Sequence, residues 1–229
     1  MGKVVGVVSF KGGVGKSVTS INLAAALNKI GKRVLVVDGN FLSPNLHLYL
    51  GLLNPEKTLK EVIREEIAAE NAIYTHRSGI DLLPCSFYKN VDVRKFKKII
   101  LGLKEKYDYV VVDSGPSYTE EIIATLMVCD ELLFVATPDY TTLAATVRLS
   151  KFAKFKNVKI LGIVLNRVRK KRFEVGWRDV EKTIGVDVIA EIREDLKMMK
   201  AVKDFRTVIE MRRSSSGKGF LKLAKKIAG

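Results

Sequence analysis

The sequence predicts a three-layer α/β domain, in which helices cover both faces of a mostly parallel β-sheet. Two observations support this fold class. Short apolar runs alternate with helical patterns along the whole chain, as crossover connections require. The runs are apolar on both faces, which is typical of buried parallel strands. Because no linker or internal repeat divides the chain, we expect residues 1–229, of which 47% are hydrophobic, to form one domain.

The first predicted strand leads through a glycine-rich loop into a helix. Residues 4–17 read VVGVVSFKGGVGKS, and the helical pattern of residues 18–30 follows. Strand, loop and helix in this order are the context of a phosphate-binding loop. Glycines let backbone N–H groups approach phosphate oxygens, and the helix N-terminus adds donors. The predicted nucleotide-binding residues here are Lys11, Gly12, Gly13, Val14, Gly15, Lys16, Ser17 and Val18.

Two side chains of this loop have predicted chemical roles. Lys16 is placed to bridge the outer phosphates as a point charge, and the Ser17 hydroxyl to bind Mg²⁺. The strict pattern G-x-x-x-x-G-K-[ST] fails at its first glycine, where the chain has Phe10. The loop matches instead K-G-G-x-G-K-[ST], in which Lys11 is a second lysine. The alternative, a glycine-rich turn with two surface lysines, fits the flanking strand and helix less well.

The Lys11–Ser17 loop resembles that of the deviant Walker A ATPases, the ParA/MinD family, and later segments resemble its archaeal MinD-like branch. The resemblance implies a P-loop NTPase fold with ATP or ADP and Mg²⁺ as cofactors. It also implies an ATPase that hydrolyses slowly and switches between states. Two copies would close on two Mg-ATP, and Lys11 of each would reach its partner's phosphates. Lys11 and Lys16 are then catalytic, unless Lys11 is merely a solvated loop lysine.

The second predicted strand, residues 33–38, ends in a carboxylate. Asp38 lies at the sheet edge where α/β proteins bind ligands. It resembles the first aspartate of the family's V-D-x-D switch segment, which supports the metal shell and the catalytic site. Asn40 replaces the second aspartate, and an amide accepts a hydrogen bond from water but takes no proton. We therefore expect that Asn40 leaves ATP binding intact and makes hydrolysis slower. Alternatively, the chain is an ATP-locked scaffold for a protein partner.

A second carboxylate-tipped strand is predicted at residues 107–113. Its Asp113 resembles the Walker B aspartate beside the Mg²⁺ of Ser17, although an aspartate capping the next helix is the alternative. The sequence SGPS at residues 114–117 resembles the second switch, in which Gly115 would supply a hinge and an N–H near the γ-phosphate. Before this strand, we predict a helical segment at 56–70, a strand at 80–83 and an amphipathic helix at 92–104.

Three strands are predicted in the last part of the chain, at residues 131–136, 158–165 and 188–192, with a helix from about residue 142. Asn166 and Arg167 follow the second of these strands. Asn166 resembles the family's adenine-reading asparagine, with a turn or helix-capping asparagine as the alternative. Arg193 stands where the family has a proline.

The chain is predicted to end in a loop, at residues 202–216, and a basic amphipathic helix, at residues 217–229. The apolar face of this helix is expected to pack onto the domain rather than to insert into lipid.

The chain carries 40 Lys and Arg against 25 Asp and Glu, a net charge of +15. Such an excess predicts a polyanionic partner, DNA or an anionic membrane, or alternatively the lysine-rich surface of a thermophile. No signal peptide or bilayer-spanning apolar stretch is recognisable, so we expect a cytoplasmic protein, at the periphery of a membrane or the nucleoid if it binds one. The residues predicted to contact the partner are Arg167, Arg169, Lys170, Lys171, Arg172, Arg206, Arg212 and Arg213.

Overall fold

The structure, a computed structural model, describes residues 2–116 and 120–229. The strands are β1 Lys3–Val8, β2 Val34–Gly39, β3 Tyr74–Thr75, β4 Asp81–Leu83, β5 Tyr109–Ser114, β6 Glu131–Ala136, β7 Lys159–Val168 and β8 Val188–Arg193. The helices are α1 Lys16–Lys29, α2 Leu46–Tyr49, α3 Leu59–Ile63, α4 Val93–Lys104, α5 Glu120–Val128, α6 Tyr140–Phe155, α7 Trp177–Ile184, α8 Leu196–Lys203 and α9 Ser215–Ala228.

The strands form one sheet in the order β3-β4-β2-β5-β1-β6-β7-β8. Every neighbouring pair is parallel except β3 and β4, which pair antiparallel at the edge. Apolar side chains fill the space between the sheet and the helices on each face. The predicted fold class, a three-layer α/β domain with a mostly parallel sheet, is confirmed.

Helix α9 belongs to one of the two helical layers. Its buried side chains pack among those of α1 and β8, which places its apolar face inside the core. The buried residues on this face include Phe220, Leu223, Ala224 and Ile227.

Among the described residues, no helix is both long enough and apolar enough to span a bilayer.

Three predicted segments differ from the structure. The strand expected at 158–165 is β7, which continues to Val168, so Asn166 and Arg167 lie within this strand rather than after it. The helical segment expected at 56–70 is only α3 followed by a 3₁₀ turn at Ala69–Ala72, because Glu65 adopts a left-handed φ of 63° that ends the helix. The loop expected at 202–216 contains the end of α8 and a 3₁₀ turn at Val208–Glu210. Helix α8 was not predicted; it begins where Asp195 accepts a hydrogen bond from the backbone N–H of Lys197.

The sheet brings the candidate residues to one edge. Asp38 at the end of β2 is directly beside Asp113 on β5, and Val7 near the end of β1 is beside Asp113 on the other side. The glycine-rich loop leaves β1 at this same edge and enters α1. The carboxyl ends of the central strands therefore bring the two aspartates next to the loop.

Candidate functional site

The glycine-rich loop depends on two of its glycines. Gly13 and Gly15 have φ angles of 77° and 94°, in the left-handed region that glycine adopts without strain. A Cβ atom on Gly15 would also lie 2.4 Å from Nδ2 of Asn166, whereas one on Gly12 would meet no atom within 4 Å. Gly15 immediately precedes α1, so the loop presents the helix N-terminus to a ligand.

Lys16 is the buried cation of the site. The residue is only 8% exposed, and burial lowers the pKa of its ammonium group, while the charges of Asp113 and Glu121 oppose this shift. A lysine in this position interacts strongly with an anion because little water screens its charge. The predicted bridging of phosphates by Lys16 fits this environment.

Asp113 is held by two hydroxyl groups of α1. Ser17 Oγ donates to one carboxylate oxygen at 2.6 Å, and Ser20 Oγ donates to the other at 2.8 Å. Burial nevertheless raises the pKa of Asp113 to about 6. Ser20 was missed by the sequence reasoning, although its position one helical turn after Ser17 could have indicated it.

Asp38 organises the segment that follows β2. Its carboxylate accepts backbone N–H groups of Asn40 at 3.0 Å, Asn45 at 3.1 Å and Leu46 at 3.0 Å. Burial and the neighbouring Asp113 raise the pKa of Asp38 to about 8. Two buried carboxyl groups and a serine hydroxyl offer only oxygen donors, which suits a hard divalent cation such as Mg²⁺.

Asn40 has one satisfied and one unsatisfied side-chain atom. Its Nδ2 donates to the backbone oxygen of Ser43 at 2.6 Å. Its Oδ1 is buried and accepts no hydrogen bond within the part of the chain that the structure describes. Such an acceptor is the kind of group that an ordered water satisfies.

The segment after β5 contacts a glutamate that the sequence did not single out. A Cβ atom on Gly115 would lie 2.0 Å from Oε2 of Glu121, so the glutamate carboxylate fills the space beside this glycine. Glu121 Oε1 accepts the backbone N–H of Leu42 at 2.7 Å. Ser117, the last residue of the predicted second switch, lies outside the described residues. Nothing in the local sequence distinguishes Glu121 from Glu120 beside it.

A cavity of about 850 Å³ opens beside the loop. Asn166 lines it, but the Nδ2 atom of this residue donates to the backbone oxygen of Val14 at 2.8 Å and so supports the loop. Arg167, with a left-handed φ of 57°, and Arg193 also line the cavity. The residues predicted to contact adenine therefore border a concavity, and Arg193 lines the same concavity.

Lys11 is engaged within its own chain. Its ammonium nitrogen lies 3.3 Å from Oδ1 of Asp139 and also donates to Thr141 Oγ1. Asp139 in turn caps α6 by accepting the N–H of Thr142 at 2.9 Å. The predicted reach of Lys11 to a partner's phosphates would require these contacts to break.

The predicted basic surface is only partly available. Arg169 pairs with Glu194, and Arg206 pairs with Glu210. The remaining side chains are exposed and form no ion pair with any described residue. These are Arg167, Lys170, Lys171, Arg172, Arg212 and Arg213.

Comparison with known proteins agrees with this architecture. Residues 5–208 match the CobQ/CobB/MinD/ParA nucleotide binding domain. An ATP-binding protein of Methanocaldococcus jannaschii is 35% identical over 99% of this chain and 88% of its own length. The cell division ATPase MinD of Pyrococcus furiosus superposes with a TM-score of 0.93 at 30% identity, covering 100% of this chain and 99% of that one.

A second solved structure, the septum site-determining protein MinD of Pyrococcus horikoshii in complex with Mg-ADP, has a TM-score of 0.92 at 27% identity and covers 99% of this chain and 96% of its own. The predicted resemblance to the ParA/MinD ATPases, and to their archaeal members, is confirmed by these matches. The chain belongs to the CobQ/CobB/MinD/ParA family of nucleotide-binding domains.

Proposed function

We propose that this protein is a Mg²⁺-dependent ATPase that works as a nucleotide-controlled switch, in the manner of the ParA/MinD positioning ATPases. The observation that carries the proposal is the meeting of Lys16, the Ser17–Asp113 pair and Asp38 at one sheet edge beside a cavity. The Mg-ADP complex of the Pyrococcus horikoshii relative supports it.

The residues have distinct roles in this proposal. Ser17 and Asp113 hold Mg²⁺, directly or through water, and Asp38 supports them from the next strand. A Mg²⁺ ion held there would neutralise charge on the phosphate oxygens. Lys16 and the backbone N–H groups of residues 11–18 hold the phosphates in line for attack by water. Asn166 and Arg167 lie beside the adenine base of the nucleotide.

We propose that hydrolysis is slow and depends on dimerisation. Asn40 accepts a hydrogen bond from water through Oδ1 but takes no proton, which lengthens the life of the ATP state. Lys11 leaves Asp139 when two copies close and then stabilises charge on the partner's phosphates, as an arginine finger does.

The proposed output is ATP-dependent binding to a polyanionic surface, DNA or an anionic membrane. The net charge of +15 and the exposed, unpaired cations among Arg167, Lys170, Lys171 and Arg172 support this. A second candidate function, an ATP-locked scaffold for a protein partner, is favoured by one observation: position 40 has no carboxylate.

Calorimetric titration with ATP, with and without Mg²⁺, tests the nucleotide site. We expect binding to require Mg²⁺ for full affinity and Lys16→Ala to weaken it about a hundredfold or more, as loss of a buried charge partner implies. Lys29→Ala, at the other end of α1, is the matched control and should bind like the wild type. Equal binding by Lys16→Ala would refute the proposed site.

A further inference from the structure

Glu121 is a buried carboxylate between the two switch segments. It is 5% exposed and lies in the first turn of α5. Through Oε1 it accepts the backbone N–H of Leu42 at 2.7 Å, two residues after Asn40. The contact joins residues that are 79 positions apart in sequence, so it ties the segment after β2 to the segment after β5.

The second oxygen of Glu121 lies against Gly115. A Cβ atom at position 115 would come within 2.0 Å of Oε2 and 2.7 Å of Cδ. Gly115 is therefore required here by the close approach of the glutamate rather than by a left-handed backbone, because its φ is not among the positive ones. The negative charge of Glu121 also acts on Lys16, whose pKa it raises against the effect of burial. Glu121 thus contacts both switch segments and interacts electrostatically with Lys16.

Position 40 carries no charge, whereas Glu121 has a carboxyl group. Asn40 is neutral, and its buried Oδ1 has no partner among the described residues. Asp38 and Asp113 are engaged with backbone N–H groups and serine hydroxyls and are the proposed metal carboxylates. Glu121 is a carboxylate at this edge that those roles leave unassigned.

We propose that Glu121 is a positioning residue for ATP hydrolysis, which supplies from α5 the negative charge that position 40 lacks and fixes the two switch segments to each other. Through Leu42 it holds the segment that carries Asn40, so that the Asn40 amide oxygen is kept in place for the attacking water. The negative charge of Glu121 also helps to orient that water. This inference rests on the proposed ATPase function.

Two substitutions at position 121 separate the effect of the carboxylate charge from the effect of the hydrogen bond to Leu42. Glu121→Gln removes the charge but keeps an amide oxygen that accepts the Leu42 N–H. Glu121→Ala removes both. Glu131→Gln is the matched control, because Glu131 is equally buried but pairs with Lys3 and Lys159 near the start of β6, away from the site.

Steady-state phosphate release from Mg-ATP tests the charge. We expect Glu121→Gln to lower kcat about tenfold or more with KM changed by less than about twofold, since an interaction made only in the transition state is lost. Adding Asn40→Asp to Glu121→Gln should restore kcat, because a carboxylate then returns to the site. Glu131→Gln should leave kcat unchanged.

Two results would overturn the inference: a wild-type kcat in Glu121→Gln, or a reduced kcat that Asn40→Asp does not restore although the same change raises kcat in the wild type. Amide hydrogen exchange at Leu42 in the nucleotide-free protein tests the bridge without hydrolysis. Exchange should quicken in Glu121→Ala and not in Glu121→Gln, and equal protection in all three proteins would contradict the bridge. If the wild type and Asn40→Asp both release no phosphate, the ATPase proposal itself fails, whereas the exchange result still decides the bridge.

Discussion

Single residues at the sheet edge decide how charge is distributed in the site. Asp38 and Asp113 are adjacent in the sheet register. Burial raises the pKa of Asp38 to about 8, with a further contribution from Asp113, and burial raises the pKa of Asp113 to about 6. Asn40 adds no third charge to this pair. The arrangement therefore favours a cation at the edge and leaves little driving force for proton abstraction from water at position 40.

Asn40→Asp should raise the rate of phosphate release by about tenfold or more, because a carboxylate orients and polarises the attacking water better than an amide. ATP affinity should change little, since position 40 is not among the phosphate-binding residues. Single-turnover release of phosphate measures the effect. An unchanged rate would show that residue 40 does not limit hydrolysis.

The free energy of unfolding should depend on pH through Asp38. The folded-state pKa of about 8 is above the unfolded value of about 4, so the protonated form is favoured in the folded protein. The stabilising contribution is complete below the unfolded pKa and is lost as pH rises through about 8. In buffer without nucleotide or Mg²⁺, denaturant titrations should therefore show stability falling between about pH 4 and about pH 8 and levelling off above that.

Asp38→Asn is the control for this pH dependence. It removes the titrating group, so the slope of stability against pH should become shallower even if the absolute stability drops. Identical slopes in the two proteins would mean that Asp38 is ionised in both the folded and the unfolded state.

At the scale of elements, the N-terminus of α6 holds the loop that follows β1. Asp139 caps the helix and also pairs with Lys11, with side chains that are 45% and 41% exposed. An ion pair this exposed stabilises by about 1 kcal/mol or less. It is weak enough to break when a second copy offers the lysine a phosphate.

Asp139→Asn should raise the association constant of the ATP-bound dimer by up to about thirtyfold, the equivalent of about 2 kcal/mol, because each of the two copies gives up one such ion pair. Asparagine caps a helix as well as aspartate does, so α6 should be preserved. Sedimentation at several protein concentrations measures the dimer. Asp92→Asn, which changes the cap of α4 in the same way, is the control. Weaker dimerisation of Asp139→Asn would mean that Asp139 serves the dimer instead.

Helix α9 should behave as part of the core. Phe220 is fully buried on its apolar face, so Phe220→Ala should lower the free energy of unfolding by about 3–5 kcal/mol. Lys225→Ala, on the exposed face, should cost little. If Phe220→Ala left stability unchanged but abolished vesicle binding, the helix would be a lipid anchor rather than a structural element.

Local patterns predicted each described strand except β3, whose two residues are too few to show a pattern. Strand β6 lies at Glu131–Ala136, the same residues that its apolar run indicated. Because parallel strands end at a common edge, the loop, Asp38 and Asp113 were also correctly expected to be neighbours. The contacts of Lys11 with Asp139 and of Glu121 with Leu42 were not predictable, since they join residues 128 and 79 positions apart and depend on strand order. Helix α2 has only four residues, too short for a periodic pattern.

At the scale of the whole molecule, the protein is basic, and one segment links the proposed nucleotide site to a group of exposed cations. Arg167 lines the cavity, and Lys170, Lys171 and Arg172 follow it within a few residues. A nucleotide that orders the end of β7 would therefore act directly on the basic segment. On this link we base the proposal that the protein binds an anionic surface in the ATP state only.

Phosphate release from Mg-ATP at micromolar protein, alone and with duplex DNA or anionic vesicles, tests this claim most directly. Lys170→Glu/Lys171→Glu/Arg172→Glu tests the basic segment. Arg94→Glu/Lys97→Glu/Lys98→Glu, which reverses three exposed cations of α4, is the control with the same charge change. We predict that one surface accelerates release by the wild type and the control but not by the first variant. Release that stays at background with every surface, while ATP remains bound, would contradict the switch and favour the ATP-locked scaffold.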